Sequence, residues 1–242
     1  LRLPRRPPAG TTHHGGWRIA ALYIEPALLP SWLPTAVALA VLPWLACAAW
    51  YAPWAVLRED PTRVHLVAGG GVACLLLWLM NVRGIDGLVF HLLGMTTLTL
   101  LLGWSLATLA GTLALVTALL ATNASLIGFP PAWLFTVGLP AGVSWCVGRL
   151  LYRSELRNPF VFILGAGFAG GAMVVLVDSV LALALFSAVG LDAWTARALE
   201  VFPVLFLIMF SEAFVNGMCV AALAVFYPSW LKTLDEDFYF GE

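Results

Sequence analysis

From Leu22 onward the chain alternates between long apolar blocks and short polar or proline-marked breaks. A helix needs about 20 predominantly apolar residues to cross the hydrocarbon of a bilayer. Seven blocks fit or approach that length: Leu33–Tyr51, Val64–Val82, Leu88–Gly103, Trp104–Thr122, Ala132–Leu151, Phe160–Val189 and Leu199–Tyr227. The third and fourth are joined so tightly at Leu102-Gly103-Trp104 that a helical hairpin is expected there. If that hairpin is only partly inserted, the count falls to six. Ahead of the first block, Leu22 to Trp32 is short, aromatic and broken by Pro26 and Pro30, which predicts an interfacial or re-entrant segment. The expected fold is an all-α polytopic helix bundle with about seven transmembrane helices.

Charge placement adds an orientation. Cytoplasmic loops carry an excess of Lys and Arg. The loops after the first and fifth blocks, with the C-terminal flank, hold Arg58, Arg63, Arg149, Arg153, Arg157 and Lys232; the other side holds Arg18, Arg83 and Arg197. This predicts an outside N-terminus and a cytoplasmic C-terminus. Three regions are expected: a basic, Pro- and Gly-rich tail or mis-assigned start over 1–21, a membrane domain over 22–234, and a short acidic tail over 235–242.

Composition agrees with that class. Of the 242 residues, 62% are hydrophobic and 10% charged, against roughly 25% charged in soluble domains. The 62 residues between Asp86 and Arg149 contain no Asp, Glu, Lys or Arg. A net charge of −1 gives no electrostatic case for nucleic acid. Cys47, Cys74, Cys146 and Cys219 stand singly, without CxxC spacing, and read as small hydrophobes. His13 and His14 read as part of a solvated tail. Runs such as Gly165-Ala166-Gly167-Phe168-Ala169-Gly170-Gly171 suit close helix packing, here expected to be internal.

Ionisable groups at membrane depth are costly and mark function by default. His91 stands at the start of the third block and Glu25 in the outer segment, so both are expected on one side of the membrane. A neutral imidazole with a carboxylate can ligate divalent nickel, cobalt or zinc; the alternative is a histidine bonded to a carbonyl at a helix start. Glu212 precedes Asn216 by four residues, which puts both on one helical face and suggests a structural polar clamp. Asp178 lies deep in the sixth block with no partner visible in the sequence. His65 reads as interfacial. No Walker lysine, HExxH, CxxCH or GxSxG motif is present, so the residues predict a protein that is not an enzyme and has no nucleotide site of its own.

The order of three segments resembles a known family. Ile24-Glu25-Pro26 is followed by Phe90-His91-Leu92-Leu93-Gly94 running into Thr97–Trp104, and then by Glu212-Ala213-Phe214-Val215-Asn216-Gly217-Met218 ahead of Tyr227-Pro228-Ser229-Trp230. Over roughly Leu22 to Leu234 the chain resembles the CbiM/NikM family, the substrate-capture membrane subunits of cobalt and nickel energy-coupling factor (ECF) ABC transporters. The resemblance implies a permease of the bacterial inner membrane, acting with a transmembrane coupling subunit and cytoplasmic ATPase subunits. It implies no tightly bound cofactor, only a transported divalent metal. In that family a processed Met-His-Ile N-terminus and a second histidine hold the metal. The second matches His91. Leu22-Tyr23-Ile24 stands in place of the first motif, so Tyr23, Glu25 and His91 are the candidate ligands. An accessory membrane protein that binds another membrane protein or lipid on the same scaffold is the second reading.

Overall fold

The computed structural model describes residues 29–80, 82–83, 89–90, 92–200 and 202–240. Six helices are long and apolar enough to cross a membrane. They are α1 (Leu33–Tyr51), α3 (Pro61–Leu79), α5 (Trp104–Ala121), α6 (Leu126–Arg153), α7 (Pro159–Ala188) and α9 (Phe202–Phe226). Short helices lie between and after them: α2 (Trp54–Glu59), α4 (Met95–Leu102), α8 (Asp192–Glu200) and α10 (Glu236–Phe240). Helices suit this environment because each satisfies its own backbone hydrogen bonds where no water is available.

The expected third crossing, Leu88–Gly103, is not a spanning helix. Val89–Phe90 pairs antiparallel with Val82–Arg83, and the helix begins only at Met95. Eight residues at 1.5 Å each give about 12 Å, under half of a bilayer's hydrocarbon. The helix cannot start earlier because Gly94 has a φ of +67°, a left-handed conformation open to glycine at little cost. The seven expected crossings therefore resolve into six long helices and one broken passage. Gly103 turns the chain from α4 into α5, as the hairpin reading expected.

Side-chain contacts fix the relative directions. Leu98 touches Gly70, whereas Trp78 Nε1 donates to the Leu93 carbonyl at 3.0 Å, so α4 runs antiparallel to α3. At the far end of α4, Lys232 and Thr233 donate backbone N–H groups to the Leu101 and Leu100 carbonyls. Arg63, Tyr152 and Arg157 meet the C-terminal segment at that end, and Lys232 of that segment lies beside Gly103. The cationic loops grouped by the sequence reading thus converge in space.

The apolar core follows from this layout. α4 is enclosed on nearly every side: Met95, Leu98, Leu100 and Leu102 are buried, with α3, α5, α6 and α9 around it. The long helices instead expose large apolar side chains such as Leu39, Trp50, Leu164 and Phe206, the surface expected toward lipid. Gly171 lets α7 and α9 approach backbone to backbone, since a Cβ there would stand 3.1 Å from the Glu212 carbonyl. This is the internal packing expected of the glycine-rich run.

Candidate functional site

The polar centre of the molecule is built where α4 begins. A helix start leaves N–H groups without intrahelical partners, and Gly94, at the capping position, has no side chain to receive them. The acceptor comes from α9. Glu212 is 1% exposed, and its carboxylate accepts the Leu93 N–H and the Gly94 N–H, each at 2.8 Å. Asn216, one turn further along α9, donates its Nδ2 to Glu212 Oε1 at 2.8 Å. Its own Oδ1 accepts the Thr97 N–H at 2.8 Å and the Thr97 hydroxyl at 2.7 Å. Two side chains of α9 thus satisfy three backbone N–H groups of the broken passage. The arrangement also places two carboxyl oxygens at the positive end of the α4 dipole.

Other polar groups surround this clamp. The Cys74 thiol of α3 packs beside Gly94, and Thr96 shares a 2.9 Å hydroxyl bond with Ser144 of α6. Asp178 of α7 is 8% exposed, and neither carboxylate oxygen has a hydrogen-bond partner among the described residues. Among the described residues no group of three His, Cys, Asp or Glu side chains is placed to hold a metal ion.

The family model for the cobalt uptake substrate-specific transmembrane region, CbiM, matches residues 24–230. The chain belongs to the CbiM family. It is therefore a membrane component of metal uptake. Two solved structures share its fold. A truncated transition metal transporter superposes with a TM-score of 0.62 at 22% identity, covering 84% of this chain and 98% of that one. A second transition metal transporter gives 0.61 at 22% identity, with 84% and 92% covered. No curated protein is significantly similar to this CbiM-family chain.

Of the residues singled out from the sequence, the structure brings Glu212 and Asn216 together on α9 and sets Asp178 on α7, which packs against α9. Tyr23, Glu25 and His91 lie outside the described residues, although Leu92, Leu93 and Gly94, which directly follow His91, are described. Sequence reasoning missed Thr97 and the Leu93 and Gly94 amides as the clamp's partners. The signal for them appears only once the helix start at Met95 is known: Met95–Leu102 has neither a capping side chain nor an acid in its first turn, so its N–H groups find an acceptor elsewhere in the chain.

Proposed function

We propose that this CbiM-family chain is the substrate-binding permease component of an energy-coupling factor transporter for a divalent transition metal of the cobalt or nickel class. In this reading it resides in the bacterial inner membrane and works with a transmembrane coupling subunit and cytoplasmic ATPase subunits. The positive-inside rule puts the end bearing Arg58, Arg63, Arg153, Arg157 and Lys232 in the cytoplasm. Leu33 and the paired strands Val82–Arg83 and Val89–Phe90 then face outward.

The observation that carries this reading is the Glu212 clamp. It holds the peptides of Leu93 and Gly94, two and three positions after His91. A ligand needs a fixed backbone to keep its geometry, and hydrogen bonds behind the ligand commonly supply it. Here His91 is the principal metal ligand, with Glu25 and Tyr23 contributing oxygen donors from the outer segment. The metal is cargo, and the chain supplies selection and orientation while partner subunits supply energy.

Calorimetric titration of the purified protein with Ni²⁺ or Co²⁺ tests the reading. Wild type should bind one metal, and His91→Ala should weaken binding at least tenfold. Absence of binding by wild type, or an unchanged isotherm for His91→Ala, overturns it.

A further inference from the structure

The peptide joining Leu93 to Gly94 is gripped on both of its edges. A planar trans peptide points its C=O and its N–H in opposite directions. The Gly94 N–H donates to Glu212 of α9 at 2.8 Å, and the Leu93 carbonyl accepts the Trp78 indole N–H of α3 at 3.0 Å. Both residues are buried, where backbone polar groups need partners. Two helices on opposite sides therefore fix the rotation of one peptide plane.

The α3 side of this grip stands out against the rest of that helix. α3 turns most of its surface outward, with Val64, Val72 and Leu76 exposed. Its buried residues are Cys74 and Trp78, and both meet the turn at Gly94. A Cβ on Gly94 would stand 3.7 Å from Cys74 Sγ and 2.7 Å from Leu77 Cδ1, so α3 lies directly against the turn. Trp78 itself is 1% exposed. Filling space calls for no N–H, and burying one without an acceptor is costly. A buried indole usually finds a partner for its N–H, and here that partner is the backbone two positions after His91.

We propose that Trp78 is a positioning residue for metal capture. It holds the Leu93 carbonyl against α3 while Glu212 holds the next N–H against α9, and together they set the direction in which the chain leaves α4 toward His91. Glu212 alone would leave the peptide free to turn about its N–H bond, and the indole removes that freedom. Trp78 donates nothing to the metal; it acts through the backbone behind a ligand. The consequence for metal binding rests on the transport reading above, whereas the grip on the peptide does not.

Two variants separate the hydrogen bond from the bulk of the indole. Trp78→Phe keeps an aromatic ring and loses the donor. Trp78→Gln loses the ring and keeps a donor N–H the same number of bonds from Cβ. Full-length protein in detergent is titrated with Ni²⁺ by calorimetry, and hydrogen–deuterium exchange is followed over residues 92–97. Trp78→Phe should lower Ni²⁺ affinity about tenfold and speed exchange severalfold. Trp78→Gln should stay closer to wild type in both, even where its melting temperature falls below that of Trp78→Phe. The reverse order, with glutamine weaker than phenylalanine in both readouts, assigns the effect to bulk and overturns the proposal. Wild-type affinity and exchange in Trp78→Phe overturn it as well, whether or not the glutamine variant folds. A wild type that binds no Ni²⁺, with exchange still faster in Trp78→Phe, overturns the transport reading and retains the two-sided grip.

Discussion

The Glu212 carboxylate and the Gly94 amide, 118 positions apart in sequence, meet at 2.8 Å inside the bundle. The bond joins the middle of α9 to the point where the third passage changes from extended chain to helix. A buried N–H left without its acceptor costs about 1–3 kcal/mol, and Glu212 accepts from three N–H donors.

Glu212→Ala is expected to destabilise the protein by about 3 kcal/mol or more, because it leaves the buried Leu93 and Gly94 amides without acceptors. Thermal denaturation in detergent reads the change. Glu212→Gln should fall between wild type and alanine, since one amide oxygen replaces two carboxylate oxygens. A melting temperature for Glu212→Ala within a degree of wild type would show that the clamp carries no stability.

Asp178 is expected to behave in the opposite way. A buried carboxylate without hydrogen bonds is a standing cost, so Asp178→Asn should raise thermal stability, by about 1 kcal/mol if half of that cost is removed. A clear fall in melting temperature would mean that the carboxylate is satisfied in the membrane by a group that the asparagine cannot engage.

Glycine positions give a paired test of packing. A Cβ on Gly171 would stand 3.1 Å from the Glu212 carbonyl and 3.2 Å from the Ala213 Cα, both backbone atoms that cannot step aside, whereas a Cβ on Gly69 meets nothing within 4 Å. Gly171→Val should separate α7 from α9 and cost about 1–3 kcal/mol. Gly69→Ala should be neutral or gain up to about 1 kcal/mol from helix propensity. Equal melting temperatures for the two variants would contradict the close α7–α9 approach.

Tyr23 tests the outer ligand set. A phenol is a weak ligand at neutral pH because its pKa is about 10, whereas imidazole is largely neutral and available. Tyr23→His is therefore expected to tighten Ni²⁺ or Co²⁺ binding by about tenfold or more in calorimetry, with His91 still required. An unchanged affinity would place Tyr23 outside the coordination sphere.

Much of the membrane architecture was legible in the linear text. The six long helices fall within a few residues of six of the seven blocks read from hydropathy. The third block failed for a local reason: Leu88–Gly103 is apolar enough to insert, but nothing in hydropathy registers that Gly94 adopts a left-handed conformation. The i, i+4 spacing of Glu212 and Asn216 placed them on one face, yet it could not say which backbone they would hold. Thr97 and Arg63 were missed because their partners are 119 to 167 residues away.

The sequence by itself determined the class of solvent, the positions of six long helices and the grouping of cationic loops, because burial in lipid is set by composition over each segment of about 20 residues. The tertiary structure alone decided what becomes of α4. A two-turn helix cannot satisfy its own ends, so its amides and carbonyls must be met by other segments. Which segments meet them, Glu212 and Asn216 at one end and Lys232 and Thr233 at the other, follows from how α9 and the chain beyond it pack around that helix.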